Sequence, residues 1–116
     1  MAAFWCAVLG WEVIDEDGSD GGPISIAPRD HSGPSMDIIA VPERKTLKNR
    51  LHFDLRADGA ATAVELQRLL ELGATPTDVG QGPDVSWVVL ADPEGNEFCL
   101  LSRSVQDVRR EEEQRG

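Results

Sequence analysis

Leu70-Glu71-Leu72-Gly73-Ala74-Thr75-Pro76 closes a helical stretch, turns on a glycine and enters an extended segment. Ala7-Val8-Leu9-Gly10-Trp11-Glu12-Val13 does the same near the N-terminus. The same grammar written twice implies two related halves, and that decides the fold. Upstream of Leu70, Ala63, Leu66, Leu69 and Leu70 recur at helical spacing and form one apolar stripe. Thr62-Ala63-Val64-Glu65 fits a capping box, a hydroxyl followed three residues later by a carboxylate. Gly73 stands where a left-handed residue ends a helix, so the periodicity predicts a helix over about 60–72.

Strands flank this helix. Leu51-His52-Phe53-Asp54-Leu55-Arg56 alternates, with Leu51, Phe53 and Leu55 on one face and His52, Asp54 and Arg56 on the other. Residues 74–79 read as a weak strand, interrupted by Pro76 and so expected at an edge or bulge. Gly80-Gln81-Gly82-Pro83 is a loop. Residues 85–90 and 96–101 are rich in β-formers and are joined by Asp92-Pro93-Glu94-Gly95, where Pro sets φ early in a turn and Gly supplies a positive φ late. The second half therefore reads β-α-β-β-β.

The first half repeats this order with one piece absent. Phe4, Trp5, Val8 and Leu9 belong to a short helix that Gly10 closes, with Phe4 and Trp5 expected in the core. A strand follows, then a polar loop (15–22), a strand near 24–27, a turn at 28–34 carrying an exposed His31, and a strand near 36–41. Pro42 to Lys48 is the joint. No strand precedes the first helix, so the repeat has one strand fewer than two complete modules would have. Truncation, an upstream start, or a strand supplied by another chain are the alternatives. An unpaired sheet edge favours association, so a homodimer is expected.

Composition narrows the class. The chain has 116 residues, 41% of them hydrophobic, enough for one domain with a real core. Its net charge of −10 argues against nucleic acid, which needs clustered Lys and Arg. No apolar run approaches the ~20 residues that span a bilayer, and no signal-peptide pattern opens the chain. No membrane partner is expected, and the cytoplasm is the expected location. Cys6 and Cys99 read as reduced, buried thiols, not as a metal or redox pair. Residues 105–116, polar and mixed in sign, read as a frayed solvated tail.

Three segments then carry a resemblance. Phe4-Trp5-Cys6-Ala7-Val8-Leu9-Gly10-Trp11, Lys48-Asn49-Arg50-Leu51-His52-Phe53-Asp54-Leu55 and Asp92-Pro93-Glu94-Gly95-Asn96-Glu97-Phe98-Cys99 together resemble the glyoxalase/bleomycin-resistance/extradiol-dioxygenase (vicinal oxygen chelate) superfamily, and in particular its short actinobacterial glyoxalase-like domains. The resemblance implies an α+β fold of paired βαβββ modules, whose curled mixed sheet forms an open cup with helices outside. It makes residues 1–104 a glyoxalase-like domain, with halves of about 1–47 and 48–104.

It also implies a site. In metal-bearing members a divalent ion sits in the cup, and the matching positions here are His52 and Glu97, with Asp37 a third ligand if Ser35-Met36-Asp37 parallels Gly95-Asn96-Glu97. Fe, Mn, Ni or Zn would suit such ligands, and no metal at all is the alternative. Glu97 is the candidate catalytic base, moving a proton on a carbon next to a carbonyl. Trp87, Trp11, Asp54 and Arg56 are the candidate pocket residues. Two functions stay open: a metal-assisted lyase, isomerase or dioxygenase, or a metal-free protein that sequesters an aromatic or cationic small molecule. The partner in both cases is a small-molecule ligand.

Overall fold

The computed structural model describes residues 1–16, 22–47, 50–77 and 87–115. The expected loop at 80–83, the start of the strand at 85–86, and Lys48 and Asn49 of the joint lie outside these. The chain divides into two compact units, Met1–Arg44 and Lys45–Gly116.

The first unit has the order αβββ. Helix α1 (Ala2–Leu9) buries Phe4, Trp5 and Val8, and its Phe4 and Trp5 rings meet edge to face, 5.2 Å apart at 88°. It ends because Gly10 adopts φ 69 and returns its N–H to the Cys6 carbonyl. Strands β1 (Trp11–Glu16), β2 (Ile24–Pro28) and β3 (Met36–Ile38) form an antiparallel sheet in that order. A register shift between Val13 and Asp15 leaves Ile14 as an extra residue, a bulge in β1. The strand runs to Glu16, so Asp15 and Glu16 are extended and not loop as expected, and residues 17–21 of the expected loop lie outside the described ones. Ile26, fully buried in β2, anchors the unit with α1 packed on β1 and β2.

The second unit is the expected β-α-β-β-β: β4 (Phe53–Leu55), α2 (Thr62–Leu72), β5 (Thr75–Pro76), β6 (Trp87–Ala91) and β7 (Glu97–Leu101). The sheet order is β4-β7-β6-β5, so its first strand lies beside its last and runs parallel to it, while the other pairs are antiparallel. The α+β class is as expected. Strand β4 is shorter than the alternation suggests, and Leu51 is 87% exposed. Leu69 of α2 and Phe98, Leu100 and Leu90 of the sheet are essentially inaccessible and form the core. The β6–β7 hairpin is fixed by Asp92, whose carboxylate accepts the Glu94 and Asn96 N–H groups at 3.0 and 2.9 Å, while Gly95 takes φ 89.

Helix α2 ends in a Schellman motif, with the Gly73 and Ala74 N–H groups returning to Leu70 and Leu69. Its start differs from expectation. The N-cap is Ala61, which makes no side-chain cap; Thr62 is already helical and donates its hydroxyl to the Ser102 carbonyl, and Glu65 pairs with Arg68. The capping box belongs instead to the segment read as a frayed tail, which is helix α3 (Val105–Arg115). There the Ser104 hydroxyl accepts the Asp107 N–H at 3.1 Å, and the Asp107 carboxylate accepts the Ser104 N–H at 3.0 Å. The first turn is tied back to the loop after β4: Val105 N–H donates to the Ala57 carbonyl, and Gln106 bonds both the Gly59 N–H and the Asp58 carboxylate.

The hydrogen bond donated by the Ser104 backbone N–H, followed by that of its side chain, holds the Asp107 carboxyl below its ordinary value of 3.8. A depressed folded-state pKa contributes stability above the unfolded value, and that contribution is lost as pH falls through the folded one. Acidification through this range should therefore fray the first turn of α3 before the sheet is affected, and Asp107→Asn should fray it already at neutral pH. Amide chemical shifts of residues 104–108 check this; an unchanged first turn in Asp107→Asn would refute it.

Candidate functional site

The site follows from the register of β4 on β7. Phe53 pairs with Phe98, Asp54 with Cys99 and Leu55 with Leu100. Paired residues share a face and neighbours alternate, so Phe98 and Leu100 point to the core side while Asp54 and Cys99 point to the other. Glu97 and Leu101 share the Cys99 face along β7, and Ala91, Val89 and Trp87 oppose them on β6. The sheet thus has one apolar face and one that mixes apolar residues with a band of polar and thiol side chains.

Within that band, His52 Nε2 lies 3.2 Å from Asp54 Oδ1, and both side chains are about half exposed. Donor atoms of His52, Asp54 and Cys99 lie within 4.8 Å of one another. Cys99 is buried, so the group runs from an exposed rim into the interior. His52 and Asp54 meet because they are two residues apart on an extended segment; Cys99 joins them only through strand pairing.

Glu97 is occupied differently. Lys45 Nζ donates to Glu97 Oε1 at 2.8 Å, and the two side chains are only 18% and 15% exposed. The same ammonium donates to the Leu47 carbonyl at 2.8 Å, and the lysine stem passes Gly95, whose Cβ position would lie 3.8 Å from Lys45 Cδ. The ammonium thus has two acceptors, and its positive charge is matched to the Glu97 carboxylate.

The remaining candidates separate. Trp87 is on the Cys99 face and 38% exposed. Arg56 donates to the Arg103 carbonyl at 3.0 Å, toward the start of α3. Asp37 lies on β3 of the first unit, exposed, and accepts the Ser25 hydroxyl at 2.5 Å. Trp11 shares a face with Val13 and Ile26, and Asp37 shares the opposite one with Ser25, so these two cannot line the same side of that sheet. His31 is exposed as expected, 3.7 Å from Glu12. Cys6 is half-buried instead of buried, and its thiol is pushed up chiefly by desolvation.

Two participants are absent from the candidate residues read in the sequence. Cys99 had a signal, since it stands two positions after Glu97 in an alternating strand. Lys45 had none, because its partner is 52 residues away.

Breaking a mostly buried ion pair leaves an uncompensated charge. Lys45→Met should destabilise the protein by about 2–4 kcal/mol, and Lys45→Met combined with Glu97→Gln should recover most of the loss. Urea unfolding of the three variants measures this; equal stability of Lys45→Met and the parent would refute it.

A model of the glyoxalase-like domain family matches residues 1–101. None of the curated proteins compared with the chain matches. Among solved structures, the fosfomycin resistance protein FosX of Listeria monocytogenes is similar with a TM-score of 0.63 and 14% identity, over 94% of this chain and 84% of that one. A mutant of that protein, complexed with Mn(II) and 1S,2S-dihydroxypropylphosphonic acid, is similar with a TM-score of 0.55 and 18% identity, over 94% and 84%. The bleomycin resistance determinant encoded on transposon Tn5 has a TM-score of 0.53 and 20% identity, over 90% and 87%. At these identities the likeness is one of fold, and with a family match across most of its length the chain belongs to the glyoxalase-like domain family.

Proposed function

We propose that the chain binds a small molecule on the polar-banded face of β4, β7 and β6, and that a divalent ion held there through His52 assists chemistry of the lyase, isomerase or dioxygenase type. The observation that carries this reading is the convergence of His52, Asp54 and Cys99 within 4.8 Å, on the face that also presents Glu97 and Trp87. An imidazole, a carboxylate and a thiol are a donor set that fits a divalent transition ion. Such an ion would polarise a substrate bearing two neighbouring oxygens. Glu97, which pairs with Lys45, would accept a proton from carbon next to a carbonyl. Trp87 offers an indole face on which a ligand can stack.

A second reading is supported by the Lys45–Glu97 pair: a carboxylate already matched by a lysine needs no metal, and the face then sequesters an aromatic or cationic compound. One experiment separates the two. Protein purified without chelator should contain about one divalent ion per chain, lost in His52→Ala. Protein with no bound metal and no affinity for Ni(II), Mn(II) or Zn(II) would remove the metal-assisted part. Quenching of Trp87 fluorescence by members of a ligand panel, abolished in Trp87→Phe, would then support sequestration.

Within the same proposal the protein acts as a homodimer in the cytoplasm. Val13 and Ile14 of β1, at the end of the first sheet's strand order, are 47% and 40% exposed and suit association. No helix among the described residues is long and apolar enough to cross a membrane. Sedimentation velocity should show a dimer at micromolar concentration; a single monomeric species across that range would overturn this part.

A further inference from the structure

We infer that the coordinating set on this face is His52, Asp54 and the thiolate of Cys99, that it takes a soft divalent ion such as Zn(II) in preference to Mn(II), and that Glu97 stays outside the coordination sphere. This rests on the reading of the face as the functional site and names the ligands within it.

Geometry comes first. A tetrahedral ion with bonds of about 2.0–2.3 Å to N, O and S sets its donors roughly 3.3–3.8 Å apart. His52 and Asp54 are already 3.2 Å apart, and the three donors span at most 4.8 Å. Closure by about 1 Å is a matter of side-chain rotation, available because His52 and Asp54 are about half exposed. Cys99 is the fixed member, buried on the central strand β7 between β4 and β6. The fourth position then opens toward the exposed rim, where a ligand can enter.

Donor chemistry comes second. Binding replaces the Cys99 thiol proton by the ion and releases it to solvent. A thiolate with an imidazole favours Zn(II), whereas carboxylate- and water-rich sites suit Mn(II). The Glu97 carboxylate, the ligand that the family resemblance implies, is engaged by an ammonium that is itself anchored on the Leu47 carbonyl. Recruiting Glu97 would break a mostly buried ion pair; recruiting Asp54 gives up only a rim-exposed contact with its neighbour.

Co(II) titration of the full, metal-stripped chain tests this, because a thiolate ligand gives an intense near-ultraviolet charge-transfer band that nitrogen and oxygen donors do not. The band should appear in the parent and in Glu97→Gln and Cys6→Ser, and should be absent in Cys99→Ser. Zn(II) affinity should fall roughly tenfold or more in Cys99→Ser and in His52→Ala, but change little in Glu97→Gln. Far-ultraviolet circular dichroism confirms that each variant is folded, and if Cys99→Ser is not, Cys99→Ala replaces it. Co(II) or Mn(II) bound without the band, and lost in Glu97→Gln, would overturn the ligand assignment while leaving the metal-assisted function standing. A band that persists without Cys99, or disappears in Cys6→Ser, would also overturn it. Absence of any Co(II) or Zn(II) binding would overturn both.

Discussion

The parallel pairing of β4 with β7 is the constraint on which the second unit depends. These strands stand at opposite ends of the βαβββ order, and their alignment, Asp54 against Cys99, brings residues far apart in sequence to one place. A slip of one residue would turn Asp54 toward the Phe98 side and Phe53 toward the Cys99 face. On that side Phe98 and Leu100 are buried, Leu55 of β4 is half-buried and Phe53 is 52% exposed, so the register rests on the strand pairing itself. Strand pairing thus sets which side chains share the Cys99 face. The Asp92 cap and Gly95 do the same for β6, fixing the hairpin so that Val89 and Ala91, not larger polar groups, lie opposite Cys99 and Glu97.

The Cys99 face carries two polar systems with different characters. His52 and Asp54 are open to solvent and can rotate. Lys45 and Glu97 are mostly buried, and the desolvation of both charges is offset only while they remain together. One system is therefore adaptable and the other structural, although both occupy the same face. This division bears on function because the fold cannot choose the chemistry by itself: a fosfomycin resistance protein and a bleomycin resistance determinant share it at 14% and 20% identity with this chain. This chain has a lysine on its glutamate and a cysteine beside its histidine.

Much of the fold was legible in the sequence. Gly10 and Gly73 marked both helix ends, Asp92-Pro93-Glu94-Gly95 marked the hairpin, and the order of elements in each half followed from periodicity. These are local signals, set by φ preference and by the spacing of apolar residues. The failures were of a different kind. Thr62 and Glu65 have the pattern of a capping box, but Ser102 and Arg68 offer better partners once the chain is folded. Ser104 and Asp107 do form one, in a segment whose charge masked a helix held by Ala57, Asp58 and Gly59.

For the site, the sequence by itself determined which faces exist: alternation put His52 with Asp54, and Glu97 with Cys99, before any pairing was known. Only the tertiary structure decided which residues meet across strands. It joined Cys99 to His52 and Asp54, gave Glu97 to Lys45, turned Arg56 toward Arg103, and set Trp11 and Asp37 on opposite sides of their sheet. The physical reason is range. Alternation is a property of one strand's backbone, whereas an ion pair spanning 52 residues or a donor group shared between two strands exists only after the core has fixed the register.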